Sequence, residues 1–490
     1  QVVFLLFLMF EFQLAFRIVR VFFILITISQ IVSIINSNKN TAYKMAWIIP
    51  MVALPTFGGM VYFVAGGKRP GRFLRKRMDK SESHSQKFKP DCSVTLYEIE
   101  KQDLCMKNIF GYIDRMGYPV YKKSDVCYYP LGEYNFPVML EELRNAKHYI
   151  FLEYFIIADG YMWNSILDIL KDKASRGLDV RLIYDDVGCI SLLPNNYPKT
   201  LESYGIKCIK FNPFRPVLSS VANNRDHRKI MVIDGKTAYN GGINMADEYI
   251  NYTHKYGHFK DVGVMLKGDA VDSFTLMFLQ MWSVNERHCD FSKYLNVGDS
   301  LSAGGYFSNG FVMPFGDCPL DEYDVGKSVY MDILNRAKDY VYIMTPYMIM
   351  DGELENSLTF SAERGVDVRI ILPHISDSFV AQALAKTHYK KLLDAGVKVY
   401  EYTPGFVHAK VFVSDDVKSV VGSINMDYRS LYHHFECATY MYGTRCIEDI
   451  KSDYKDTLAK CQQVTYESIK NDKWYIKLIG KVIKFVAPLI

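Results

Sequence analysis

The sequence predicts an α/β protein in which two tandem βαβ repeats close into one bilobal unit, preceded by N-terminal transmembrane helices. Three observations carry this. The body of the chain is written twice, each copy alternates β-branched runs with helical patterns closed by Gly, and the first 67 residues are far more apolar than the rest. At 490 residues the chain exceeds one small domain, and a composition 49% hydrophobic with 36 Tyr and 30 Phe can bury more than one core. A net charge of +4 excludes a general polyanion binder but leaves room for local basic patches. The ten cysteines show no C-x-x-C and no paired spacing, which reads as reduced thiols in a cytosolic compartment and argues against a disulfide framework or a zinc site. The first residue is Gln1 and not Met, so upstream sequence is expected.

Residues 21–35, VFFILITISQIVSII, reach spanning length once Arg17 and Arg20 snorkel to an interface, giving a span of about 17–36. Residues 46–65, AWIIPMVALPTFGGMVYFVA, run uncharged over the length of a second span, where Pro50, Pro55, Gly58 and Gly59 are tolerated in lipid. A removable signal peptide fits less well, since two apolar segments occur without an A-x-A-like site. VVFLLFLMFEFQLAF, before the first span, is either interfacial or an extension of it. GGKRPGRFLRKR carries six Lys and Arg without an acid, against two lysines in the connecting NSNKNTAYK. The positive-inside rule therefore expects a multi-pass protein of the cell membrane, with the body, Arg17 and Arg20 on the cytoplasmic side. The basic run either contacts anionic lipid or simply sets topology. At the other end, Lys473, Lys477, Lys481 and Lys484 lie along one helical face, with Trp474, Leu478, Ile479, Val482 and Val486 largely on the other. That pattern suits a membrane surface, or else a terminal helix docked on the body.

The repeats set the domain plan. NAKHYIFLEYFIIADG (145–160) parallels RAKDYVYIMTPYMIMDG (336–352), and ASRGLDVRLIYDD parallels AERGVDVRIILPH. LESYGIKCIKFNP parallels LLDAGVKVYEYTP, and HRKIMVIDGKTAYNGGIN parallels HAKVFVSDDVKSVVGSIN. The first copy inserts ten extra residues, around FRPVLSSVAN, before its histidine. The expected plan is a membrane region 1–67, a basic linker 68–135, a first repeat 136–290, a connection 291–325, a second repeat 326–455 and a basic amphipathic segment 456–490. A mostly parallel sheet in each repeat is expected, with ligands at the carboxyl ends of the strands.

Residues i and i+2 of a strand share a face, so His227 and Lys229 point one way, and so do His408 and Lys410. Asp234 and Asp415 close the two strands at a turn and read as part catalytic, part structural. Chemistry on a phosphodiester needs a nucleophile for phosphorus, positive charge for the nonbridging oxygens and an acid for the leaving oxygen. One H-x-K supplies the first two, and the second copy supplies the acid. Asn244 and Asn425 each lie 17 residues after their histidine, as candidates to hold phosphoryl oxygens. Asp261 and Glu436 each lie seven residues before a Gly, as buried acids that could face an imidazole Nδ1. Glu153, Asp185 and Asp186 end apolar strands and either line the cleft or serve as turn and cap residues. A single H-x-K-x-x-x-x-D arises by chance in many chains, but two at matched positions with the same Asn and acid offsets do not.

Here the sequence resembles the phospholipase D superfamily, and most closely the bacterial cardiolipin synthases, from about residue 42 to the end. Beside the paired H-x-K-x-x-x-x-D, the stretches AYKMAWIIPMVALPTFGGMVYFVAGG, FLEYFI, YDDVG, GGINMADEY, GSINMDYRS and the closing APL carry it. The resemblance implies phosphatidyl transfer between two phosphatidylglycerols, giving cardiolipin and glycerol through a phospho-histidine. It implies no cofactor, no metal and no nucleotide. Partners would be phosphatidylglycerol and anionic membrane lipids, with no nucleic acid, and a homo-oligomer is left open. By analogy His227 is the nucleophile and His408 the acid, although the near symmetry of the copies leaves that assignment open. Where such synthases usually have Asn in an N-F-E, this chain has His434. A membrane-bound phospholipase D hydrolase or another phosphatidyltransferase shares the same site. A nuclease or a non-catalytic lipid-binding scaffold fits less well, because the membrane segments aim at lipid and both His-Lys pairs are intact.

Overall fold

The computed structural model describes residues 2–66, 71–122, 124–214, 223–286, 289–295 and 310–489. The start of the basic run, most of the insertion before His227 and much of the inter-repeat connection lie outside the described residues. Helix α1 (Val2–Ile35) is continuous, so the apolar stretch before residue 17 extends it. Its part from Arg17 to Ile35 is long and apolar enough to cross a membrane, and no other helix among the described residues is.

The second span expected at 46–65 is not built as one helix. Pro55 has no N–H to donate and pushes Leu54 out of the helical region (φ −133°, ψ 73°), which ends α2 (Thr41–Ala53) and starts α3 (Pro55–Ala65) in a new direction. The two helices fold back on each other. The rings of Trp47 and Tyr62 lie 5.1 Å apart, whereas a straight helix would separate them by roughly 22 Å along its axis. The tip of this hairpin rests on α1, where Thr27 Oγ1 donates to Pro55 O at 2.7 Å. A Cβ on Gly59 would lie 2.0 Å from Thr27 Oγ1, so only glycine allows that approach. Thr27 is near the middle of the Arg17–Ile35 span, so the hairpin goes about half way and returns. At its base, Asn40 Nδ2 donates to Asp351 Oδ2 at 3.1 Å and to Tyr432 OH at 3.0 Å, which seats the start of the hairpin on the body. Arg17 and Arg20 stand at the end of the span opposite Ile35.

The first half contributes β1 (Ser124–Tyr129), β2 (Tyr149–Tyr154), β3 (Asp179–Asp185), β4 (Lys207–Phe211), β5 (Arg225–Asp226), β6 (Lys229–Ile233), β7 (Thr237–Gly241), β8 (His258–Lys260) and β9 (Gly263–Gly268). The second contributes β10 (Phe311–Asp317), β11 (Tyr340–Met344), β12 (Met348–Ile349), β13 (Asp367–Pro373), β14 (Lys398–Tyr402), β15 (Gly405–Val407), β16 (Val411–Ser414), β17 (Lys418–Gly422), β18 (Met426–Asp427), β19 (His434–Tyr442) and β20 (Cys461–Gln463). The sheets run β1-β9-β7-β6-β2-β3-β4 and β10-β19-β17-β16-β11-β13-β14-β20, the same order twice with one added edge strand. They draw in β1 and β10, which precede the expected repeat starts at 136 and 326.

Each sheet is mixed and not mostly parallel. β2, β3 and β4 are parallel, but β6, β7, β9 and β1 pair antiparallel. The cause is local: Asp234 and Gly235 both take positive φ (54° and 64°), as do Asp415 and Asp416 (52° and 59°). Two successive left-handed residues make the tight turn whose twist matches an antiparallel hairpin.

The helix Val271–Asn285 is apolar nearly all round and is buried between the halves, against β2, β6 and β10. One apolar cluster runs through it from Phe151 and Val232 in the first sheet to Val411 and Val413 in the second. At the C-terminus, the helix Trp474–Lys484 packs on Phe379–Asp394, yet Trp474, Leu478 and Val482 stay exposed along one stripe. The turn Ala487–Leu489 that follows lies against α2.

Candidate active site

The two halves exchange strands at the centre. β5 of the first half pairs in parallel with the start of β19, and His227 N donates to Phe435 O at 2.9 Å. Symmetrically, β15 of the second half pairs with β8, and His408 N donates to Lys260 O at 2.8 Å. Each histidine is thus stitched to the strand of the opposite half, whose next residue is an acid. His227 Nδ1 lies 2.9 and 3.0 Å from the two carboxylate oxygens of Glu436. His408 Nδ1 lies 2.6 Å from Asp261 Oδ2. Both candidate acids therefore serve the histidine of the other copy, and neither half carries a complete pair alone.

The acids are themselves held. Ser423 Oγ donates to Glu436 Oε2 at 2.5 Å and Ser430 Oγ to Oε1 at 2.7 Å. Ser423 occupies the repeat position of Gly242, where a Cβ would lie 2.1 Å from Asp261 Oδ1. The role of this position as a support for the acids was not readable without the fold.

The two lysines stand beside their histidines. Lys229 Nζ donates to His227 O at 2.5 Å, and Lys410 Nζ donates to His408 O and lies 2.9 Å from His408 Nδ1. All four groups are almost sealed from solvent: His227 and His408 keep 6% exposure, Lys229 and Lys410 1%. Burial, then the charges of Lys229, Lys410 and His408, hold His227 well below the usual imidazole range, which leaves its ring neutral. Burial and Lys410 bring His408 down to about 4, against the opposing pull of Asp261. Burial also brings Lys229 to about 8 and Lys410 to about 7. Asp261, despite a burial cost, is kept below the ordinary carboxylate range by His408 and Lys410. Lys410 and His408 act electrostatically on His227, and Lys229 acts on His408 and Lys410, which sets the two pairs near one another.

Asn244 Oδ1 accepts from Ile156 N at 3.1 Å and its Nδ2 donates to Tyr249 OH at 2.7 Å, which sets the Tyr249 ring 5.4 Å from His408. Its amide braces the site. Asn425 is buried with its carboxamide oxygen unpartnered. Asp234 and Asp415 lie elsewhere. Each sits at the far end of its strand, about 20 Å from its histidine at 3.3 Å per extended residue. The Asp234 carboxylate accepts from the backbone N–H of Lys147, His148 and Tyr149 at 2.7 to 2.9 Å. Asp415 does the same for Lys338, Asp339 and Tyr340 at 2.9 to 3.1 Å. These aspartates lock the hairpin onto the start of the neighbouring strand, the structural part of the role expected of them.

The strand-end acids are frame residues too. Asp185 pairs with Arg225 at 2.8 Å and accepts from Asp226 N at 3.0 Å, bracing the strand that leads to His227. Glu153 is fully buried 3.6 Å from Arg228, and burial, then the neighbouring Asp226, pushes it well above the usual carboxylate range. Asp186 pairs with Lys210 at 3.1 Å. His434 lies beside the site and takes no part in the His-Lys pairs. Its ring lies 5.3 Å from that of His227, its Nδ1 is 3.7 Å from Glu436 Oε1, and neither ring nitrogen has a hydrogen-bond partner.

Comparison with known proteins places this geometry in context. A family model described as the cardiolipin synthase, phospholipase D-like domain matches residues 139–282 and 330–458. A second, described as a phospholipase D-nuclease N-terminal segment, matches 24–67. An uncharacterized protein of Streptococcus mutans serotype c is 48% identical over 464 residues, 94% of this chain and 100% of the relative. A protein named cardiolipin synthase from Alkalihalophilus pseudofirmus is 30% identical over 458 residues, 92% of this chain and 90% of the relative. Among solved structures, a phosphatidylserine synthase from Haemophilus influenzae superposes with a TM-score of 0.55 at 16% identity, over 74% of this chain and 93% of that one. At that identity the likeness concerns the fold.

Proposed function

Because the chain belongs to the cardiolipin synthase family of phospholipase D-like proteins, we propose that it transfers a phosphatidyl group from one phosphatidylglycerol to another, releasing glycerol. The observation that carries this reading is the pair of buried His-Lys units, each completed by an acid from the other half. Neutral His227 attacks phosphorus through Nε2, and the bond to the glycerol oxygen breaks as His408 gives that oxygen its proton. The second phosphatidylglycerol then gives a hydroxyl proton back to His408 while its oxygen attacks phosphorus. The phosphorus–nitrogen bond breaks, cardiolipin leaves and His227 is restored. Lys229, Lys410 and Asn425 hold the nonbridging oxygens. Glu436 keeps the His227 proton on Nδ1, so the attacking lone pair is on Nε2. His408 is scarcely protonated in the empty site, and the negative charge of a bound diester raises that fraction.

Three features support a seat at the membrane. α1 has the length of a span, the α2–α3 hairpin packs on it and is tied to the body through Asn40, and Trp474, Leu478 and Val482 are exposed along one stripe. The body would face the cytoplasm, given the basic cluster at Arg75, Lys76 and Arg77 and the C-terminal lysines, against only Arg17 and Arg20 at the other end of α1. Incubating the purified full-length chain with phosphatidylglycerol vesicles and weighing the products tests the reading. Cardiolipin with glycerol is expected; phosphatidate alone would make the enzyme a hydrolase.

The lysines give the reaction a pH signature. Raising pH through about 7 and then about 8 removes the charges of Lys410 and Lys229 in turn. In the free enzyme kcat/KM is therefore expected to fall across that interval, while kcat holds to higher pH because the bound anion keeps both lysines charged. A pH–rate profile with an unchanged kcat/KM from about 6 to 9 would contradict it.

A further inference from the structure

His434 is 92% removed from solvent (8% exposed), yet both of its ring nitrogens lack a partner. A buried polar group left without a hydrogen bond is costly, so such a ring marks a place where something else binds. Glu436 faces it and also faces His227, and one ligand atom from each of these three side chains lies within 4.8 Å of the other two. His434 Nδ1 is 3.7 Å and His227 Nδ1 is 2.9 Å from the same Glu436 Oε1. Two ligands on a tetrahedral Zn²⁺ stand about 3.3 Å apart, given metal–ligand bonds of about 2.0 Å. The two separations from Glu436 bracket that value, and the third, between the two imidazoles, closes within 4.8 Å.

We propose that His227, His434 and Glu436 form a binding site for one divalent cation of the zinc class, and that an ion there switches the reaction off. Two imidazoles and one carboxylate suit Zn²⁺ or Co²⁺, whereas Mg²⁺ and Ca²⁺ prefer oxygen. Lys229 and Lys410 stand close by and oppose any cation, so only an ion that bonds strongly to nitrogen can compete. The ion takes the place of the proton between His227 Nδ1 and Glu436. A neutral imidazole holding a metal on Nδ1 carries its one proton on Nε2, and the lone pair that would attack phosphorus is gone. His434 makes this possible; Asn, which the family usually carries at this position, has no imidazole to offer. The effect on turnover rests on the proposed synthase reaction, but the binding does not.

The test uses the full-length chain in phosphatidylglycerol vesicles with Zn²⁺ and, separately, Co²⁺. Wild type is expected to retain one zinc per chain after desalting and to give the visible absorption of four-coordinate Co²⁺. Its turnover should fall about tenfold or more with Zn²⁺ and return with EDTA. His434→Asn should turn over without metal, hold no zinc at this site and resist the same Zn²⁺ concentration. His434→Gln serves in its place if the Asn variant fails to fold. Equal zinc in wild type and variant, as thiol binding would give, or no Co²⁺ spectrum in wild type, overturns the site. A wild type that makes no cardiolipin but shows a Co²⁺ spectrum dependent on His434 would overturn the synthase reading and leave the site standing.

Discussion

His227→Ala is expected to lower turnover by about 10⁴-fold or more, the scale on which loss of a nucleophile acts in enzymes with a covalent intermediate. The ring it removes has neutral character, a lone pair held on Nε2 by Glu436, and two lysines beside it. Binding of phosphatidylglycerol should survive, because Lys229, Lys410 and Asn425 remain. His408→Ala separates the two roles. A phosphodiester with a p-nitrophenol leaving group needs no acid to depart, so His408→Ala should still release one equivalent of p-nitrophenol in a burst and then stall. His227→Ala should give no burst. The reverse pattern would exchange the roles of the two histidines, and a burst in both would remove the covalent step.

Glu436→Gln is the second large effect, about 10³-fold or more in kcat by analogy with replacing the acid of a catalytic triad by its amide. The reason is tautomeric. A carboxylate can only accept, so His227 must carry its proton on Nδ1; an amide can present N–H instead and turn the proton to Nε2. The same change leaves one acceptor oxygen where Ser423 and Ser430 each have their own, so folding is followed alongside by thermal denaturation. Because Glu436 belongs to the second half and His227 to the first, the loss should appear in the step assigned to His227, the burst with the activated diester. Asp261→Asn should leave that burst and slow turnover with phosphatidylglycerol, through His408. Equal effects of both variants on the burst would contradict the crossed pairing.

How far these roles were legible in the chain differs by residue. The two H-x-K units, the Asn offset and the later acids stand out because a duplicated sequence carries its own control. Which acid serves which histidine was not legible. Both copies own both groups, and the crossing arises only when β5 meets β19 and β15 meets β8. The antiparallel hairpins were written in the chain, since the Asp-Gly after β6 takes two positive φ angles and fits a tight turn. Read as a strand end, it left Asp234 half catalytic; read as a hairpin, it makes Asp234 a clamp on three backbone N–H groups. The segment 46–65 misled for a different reason. Its length and lack of charge suit a span, but Pro55 breaks the helix and Gly59 lets the return packing close on Thr27. His434 stood out only as a departure from the family's Asn, and its closeness to His227 follows from the strand exchange.

The most direct measurement is an experimental structure of the full-length chain with vanadate, whose trigonal bipyramid imitates a phosphoryl group in transfer. One vanadium bound axially to His227 Nε2, with His408 Nε2 on the opposite axial oxygen and Lys229 and Lys410 at the equatorial oxygens, is the expected result. Vanadate held by one histidine while the other faces a separate cavity would contradict a single shared reaction centre.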